Sequence, residues 1–205
     1  PEYIEIASTS KAGKVYVPLN WRLKGTELAY IINDSGANTV FVEEQFCDII
    51  RSIRSRLSQV NNLVCIDAVC EDMLNYEELI DKYPPDDPGV DVFEDDILGL
   101  IYTSGTTGLP KGVIRKHKDT LGFARMLIRG WGLRNDDRCL SIMPLFHAAL
   151  IHCNFAFIMA GASQWLIKRF DPEMTLELVQ REKITFLQGV PAMIISLTEH
   201  PSRSK

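Results

Sequence analysis

The sequence has no apolar run long enough to span a membrane. The longest, Ala148 to Ala162, is interrupted by His152 and Asn154. It falls short of the roughly 20 residues a spanning helix needs and reads as a buried helix. No two cysteines have CxxC spacing, and the five present (Cys47, Cys65, Cys70, Cys139, Cys153) are odd in number. That argues against a disulfide framework or a zinc ribbon. The thiols are expected to be small buried hydrophobes in a reducing compartment. There is no surplus of positive charge: the formal net charge is −5. This weighs against a general nucleic-acid or anionic-membrane binder. No signal-peptide pattern opens the chain and no internal repeat runs through it, so a cytoplasmic protein is expected.

What is there is an ordinary globular composition. The 205 residues are 46% hydrophobic and 24% charged, enough to bury a sizeable core. Apolar residues at helical spacing alternate with short β-branched runs. Helices are expected over residues 1–12, from a cap at Thr26 to Gly36, over 46–57 and over 76–83. Strands are expected at 15–17, 39–42 and 63–66.

Residues 84–96 break the pattern. They hold three prolines (Pro84, Pro85, Pro88) and six acids (Asp86, Asp87, Asp91, Glu94, Asp95, Asp96) and no base. This is the signature of a solvated linker, with a functional acidic patch as the alternative. Removing those acids moves the formal balance from −5 to +1, so the acidity is local. The division expected is an α/β lobe over 1–83, a linker over 84–96 and a second α/β lobe over 97–205.

After the linker, a continuous apolar strand is expected at 97–103, the pattern of a strand buried on both faces. A strand at 112–114 and a helix capped by Asp119 or Thr120 follow, the helix ending near Gly130 and Gly132. Strands at 140–143, 164–167 and 184–187 alternate with helices starting near His147, at Asp171-Pro172-Glu173 and at Pro191. Trp131 and Trp165 look like core anchors. Repeated strand–helix units predict an α/β fold: two lobes of largely parallel sheets with flanking helices.

The densest chemistry lies in Thr103-Ser-Gly-Thr-Thr-Gly-Leu-Pro-Lys-Gly112. Hydroxyls (Ser104, Thr106, Thr107), two glycines (Gly105, Gly108) and Lys111 follow a buried strand. Glycines let backbone amides approach a ligand, and amides with hydroxyls donate to several phosphate oxygens. Lys111 adds a point charge. The segment reads as a polyphosphate cradle or, on composition alone, as an ordinary turn. It is not a Walker A loop: Pro110 stands where that pattern needs its second glycine, Gly112 follows the lysine, and a strand rather than a helix comes next.

These ten residues resemble the signature loop of the acyl-adenylate-forming enzymes, which include acyl-CoA synthetases and peptide-synthetase adenylation domains. Three further segments agree in order: Lys11 to Asn20 (KAGKVYVPLN), Pro144-Leu-Phe-His147, and Thr185 to Pro191 (TFLQGVP). The resemblance implies a truncated part of the large N-terminal domain of that family. It implies a carboxylic acid substrate, ATP, Mg²⁺ with most of its ligands outside this chain, and coenzyme A as co-substrate. A homodimer is compatible with it.

The residues it singles out are Thr103, Ser104, Gly105, Thr106, Thr107, Gly108 and Lys111 for the nucleotide. His147 and Lys111 are the catalytic candidates. His147, Gln188, Gly189 and Val190 are implied to line the acyl pocket; no metal ligand is assigned. From the residues alone, His147 reads as a core histidine and 188–190 as a strand-to-helix turn. Leu150 departs from the family, which often has glycine three residues after the histidine. Segments resembling the family's later adenine-, ribose- and lysine-bearing motifs are absent, so the chain alone is expected to be inactive. Two other readings stay open: a non-enzymatic nucleotide-binding module, and an adenylation domain loading a carrier protein.

Overall fold

A computed structural model describes residues 2–103 and 108–204. The described residues fall into two compact units, 1–115 and 116–205. The acidic stretch 84–96 lies inside the first unit and carries no helix or strand. Strands on its C-terminal side therefore group with the first unit.

In the first unit, α1 (Glu2–Lys11) precedes α2 (Gly25–Asp34), β1 (Thr39–Val42), α3 (Cys47–Ile53), β2 (Asn62–Cys65), β3 (Leu74–Asn75) and α4 (Tyr76–Lys82). Strands β1, β2 and β3 form a parallel sheet, with Val40 opposite Leu63 and Val42 opposite Cys65. Parallel neighbours need a crossover, and α3 supplies it. The periodic face of α2 (Leu28, Ala29, Ile32) packs with Val40, Val42, Ile50, Ile53 and Leu63 into one core.

Thr26 does not cap α2. Lys24 is the cap residue, and the carboxylate of Glu27 accepts its backbone N–H at 3.0 Å. The acid in the first turn reaches back and does what a hydroxyl cap would do. The expected strand 15–17 is reduced to one parallel bridge, Tyr16 with Gly99.

Strands β4 (Ile97–Thr103) and β5 (Lys111–Lys116) pair in a second sheet. Two tyrosines hold this pair in place. A Cβ at Gly99 would stand 2.8 Å from Cζ of Tyr16, and one at Gly112 would stand 3.0 Å from Cζ of Tyr102. Each ring thus occupies the space a side chain would need. The Tyr102 hydroxyl then donates to Asp34 Oδ2 at 2.6 Å, tying β4 to the end of α2. Burial and that carboxylate raise the Tyr102 pKa, and burial lifts that of Tyr16 to about 12, against the field of Arg115.

The second unit holds α5 (His117–Trp131), β6 (Arg138–Ser141), α6 (Ala148–Ala160), β7 (Ser163–Leu166), α7 (Pro172–Arg181), β8 (Phe186–Gln188) and α8 (Pro191–Glu199). Its sheet is parallel in the order β7-β6-β8. Successive residues of the central strand serve opposite faces. Cys139 joins Ala124, Leu127 and Phe157 of α5 and α6, while Leu140 joins Ile142 and Leu197.

Asp171 caps α7, its Oδ1 accepting from Met174 N at 2.9 Å, as Asp-Pro-Glu predicts. Neither Asp119 nor Thr120 caps α5. The helix starts at His117, directly after β5, from an extended Lys116. Gly132 ends it with φ 66°, and Gly161 ends α6 with φ 74°. Trp131 is 39% exposed, although its ring lies 4.9 Å from that of Phe186.

Strands β6 and β8 start on a shared polar knot. Thr185 Oγ1 accepts from Arg138 N at 2.9 Å and donates to Asp137 Oδ1 at 2.7 Å, and Arg134 N donates to Asp137 Oδ2 at 2.8 Å. These donors, the Thr185 hydroxyl first, lower the Asp137 pKa. A depressed carboxyl pKa stabilises the fold above the ordinary carboxylate range, and that contribution is lost as pH falls through the lowered value. The melting-temperature difference between the native chain and Asp137→Asn is therefore expected to shrink steadily as pH is lowered through the acid range. A difference independent of pH would show that Asp137 contributes nothing through its charge.

Candidate functional site

The phosphate-loop candidates sit where β4 ends and β5 begins. Thr103 is the last residue of β4 and Lys111 the first of β5, and both are exposed. Because the two strands are hydrogen-bonded neighbours joined only by residues 104–110, both side chains lie at the mouth of that loop. Ser104, Gly105, Thr106 and Thr107 lie outside the described residues. Gly108 has φ +117°, a conformation that L side chains rarely adopt, with open space around its Cα. The glycine is thus needed for the backbone path itself.

The acyl-pocket candidates belong to the second unit and gather at the C-terminal edge of its parallel sheet. Ser141 and Gln188 end β6 and β8 and pair in register. Ligands of open α/β sheets sit outside such carboxyl ends. Gln188 Oε1 is buried and has no hydrogen-bond partner among the described residues. An orphan buried acceptor is costly unless a ligand or water completes it. Gly189 follows, where a Cβ would meet Ile142 Cδ1 at 2.9 Å and Ile194 Cδ1 at 3.3 Å. Val190 is exposed and is the N-cap residue of α8.

His147 is not a core histidine. It is exposed at the N-cap of α6, its ring 4.8 Å from that of Phe146. The buried histidine of this helix is His152, against the ring of Phe123 at 5.0 Å. His147 is thus open to solvent, whereas His152 is enclosed. Leu150 is 1% exposed, so the residue that departs from the family is part of the core.

Sequence reasoning did not foresee a meeting of thiols in the first unit. Cys47, Cys65 and Cys70 converge, all with free thiols. Burial, then the neighbouring Cys70 and Cys65 thiols, pushes the Cys47 pKa up to about 12. Burial is the main cause that takes Cys139 and Cys153 to about 11, with Asp137 adding to the first and Gln188 opposing the second. At neutral pH these thiols are protonated.

With this geometry in view, the comparison with known proteins is direct. The family profile described as "AMP-binding enzyme" matches residues 3–205. The chain belongs to the AMP-binding enzyme family. Among curated relatives, the chain is 34% identical over 192 residues to a long-chain-fatty-acid–CoA ligase of Thermus thermophilus, covering 92% of this chain and 35% of that protein. It is 34% identical over 196 residues to an indoleacetate–CoA ligase of Aromatoleum aromaticum, covering 94% and 38%. The inhibitor-bound N-terminal domain of FACL13 from Mycobacterium tuberculosis superposes with a TM-score of 0.90 at 28% identity. That match covers 98% of this chain and 49% of that one. The chain thus spans little more than a third of the curated relatives it matches. Among the described residues, no helix is long and apolar enough to cross a membrane.

Proposed function

We propose that the chain is part of an ATP-dependent carboxylic acid–CoA ligase. The observation that carries this reading is the Thr103–Gly112 loop, strung between paired strands in a chain that matches the AMP-binding family from residue 3 to 205. In the first step a carboxylate oxygen attacks the α-phosphorus of ATP. The bond to the β-phosphate oxygen breaks, giving acyl-adenylate and pyrophosphate. In the second, the sulfur of coenzyme A attacks the acyl carbonyl, AMP leaves, and the thiol proton passes to solvent.

The loop's task is to stabilise charge that grows on the leaving pyrophosphate. Thr103, Ser104, Thr106 and Thr107 carry hydroxyls, Gly105 and Gly108 have no side chain to keep a ligand from the backbone, and Lys111 supplies a cation. Donors held in place before reaction stabilise that charge without reorganising. Mg²⁺ belongs to the same reading as a cation brought in on the triphosphate. When bound it would neutralise charge on the triphosphate, and no residue of this chain is assigned as its ligand. The one cluster of three potential metal ligands among the described residues is made of thiols, which do not suit it. Gln188, Gly189 and Val190 form the acyl-pocket wall, and the exposed imidazole of His147 positions the carboxylate.

The test is pyrophosphate release by the full-length protein with ATP, Mg²⁺ and a panel running from long-chain aliphatic to aryl acids. At least one acid is expected to stimulate release with matching AMP formation. No release with any acid overturns the reading. A thioester appearing only on a carrier protein, never on coenzyme A, replaces the acceptor. The 205-residue chain by itself is expected to make no thioester, since it spans so little of its relatives' length; a thioester formed by it would overturn that part alone.

A further inference from the structure

Three cysteines distant in sequence meet at one point of the first unit. Cys47 opens α3, Cys65 closes β2, and Cys70 lies between β2 and β3. Their sulfurs all lie within 4.8 Å of one another, and Cys47 Sγ is 3.9 Å from both Cys65 Sγ and Cys70 Sγ. A fourth sulfur, Met73 Sδ, is 3.7 Å from Cys47 Sγ. A disulfide would hold two sulfurs at about 2.05 Å, so no bond joins them. The two 3.9 Å separations match the edges of a small coordination polyhedron. Thiolates about 2.3 Å from a metal stand about 3.8 Å apart in a tetrahedron and about 4.0 Å apart in a trigonal plane.

Sulfur packed only as a hydrophobe also reaches such distances. The surroundings distinguish the two cases. Cys47 and Cys65 are 1% and 0% exposed, whereas Cys70 is half-buried and faces an open cleft. The same cleft is lined by Glu44, Asp48, Glu71 and Asp72, an acidic mouth that draws cations toward the thiols. Arg51, paired with Asp72 at 2.8 Å and Asp48 at 2.9 Å, lines the cleft together with Cys70.

We propose that Cys47, Cys65, Cys70 and Met73 form a binding site for a soft thiophilic cation, Cu(I) being its occupant. A thioether beside thiolates favours Cu(I) over harder cations. Each thiol that ligates releases its proton to solvent, and the metal's oxidation state does not change. The proposal does not depend on the ligase reading.

The test is anaerobic titration of Cu(I) into the full chain against a chromogenic Cu(I) chelator, with copper-edge X-ray absorption on the product. One Cu(I) per chain is expected, in an all-sulfur shell near 2.3 Å. Cys70→Ser, at the half-buried position, is expected to weaken binding roughly 100-fold. Met73→Leu keeps the volume and is expected to weaken it less, and Cys139→Ala in the other unit leaves it unchanged. The melting temperature of the native chain rises with bound Cu(I). No competition with the chelator, a nitrogen or oxygen shell, or equal affinity in folded Cys70→Ser overturns the proposal.

Discussion

Phe157→Ala is expected to lower the stability of the second unit by about 3–5 kcal/mol, the range for emptying a large aromatic site in a core. Phe157 is 1% exposed in the last turn of α6, among Ala124, Leu127, Leu133, Cys139 and Ala156. Its ring meets Phe186 of β8 edge-on at 5.4 Å. The cavity would therefore open between two helices and the central sheet, where small neighbours such as alanine have little side chain with which to fill it. Urea unfolding followed by tryptophan fluorescence reads the change, since Trp131 and Trp165 both lie in this unit. A shift below about 1 kcal/mol would mean that α5 and α6 collapse onto the void.

Lys111→Ala is expected to cut acid-dependent pyrophosphate release on the order of 100-fold, the effect of deleting one preorganised donor to a developing anion. Lys111 is exposed at the start of β5, so its removal leaves no buried partner stranded and the melting temperature is expected to hold. The loss should appear in kcat more than in KM for ATP, because the charge it meets grows only as pyrophosphate leaves. Lys111→Arg keeps the charge with a different donor geometry and is expected to recover part of the rate. A change below about threefold would make Lys111 an ordinary surface lysine.

Most helices and strands were legible in the periodicity, because each buries one face or stripe. Their ends were less so. Thr26 and Asp119 are good cap residues by type, yet α2 is closed by Glu27 reaching back to Lys24, and α5 runs straight out of β5. In both, the neighbouring chain path decided where the helix began. Strand β6 is Arg138–Ser141 rather than 140–143, because Cys139 and Leu140 serve opposite cores and Thr185 pins Arg138. The phosphate-loop candidates could be picked out in the sequence because they are contiguous. The thiol cluster was not: Cys47 and Cys65 meet only through the packing of a helix on a strand, and no spacing rule encodes that.

Gly112 and Tyr102 set a condition on how this region can vary across relatives. The Tyr102 ring fills the space above Gly112 and reaches Asp34. A side chain at 112 would push against the ring, and a smaller residue at 102 would leave the exposed Asp34 carboxylate to Tyr30 and water. Positions 102 and 112 are thus expected to change together. An aligned set of homologues would then carry their correlation even where each position, taken singly, looks variable.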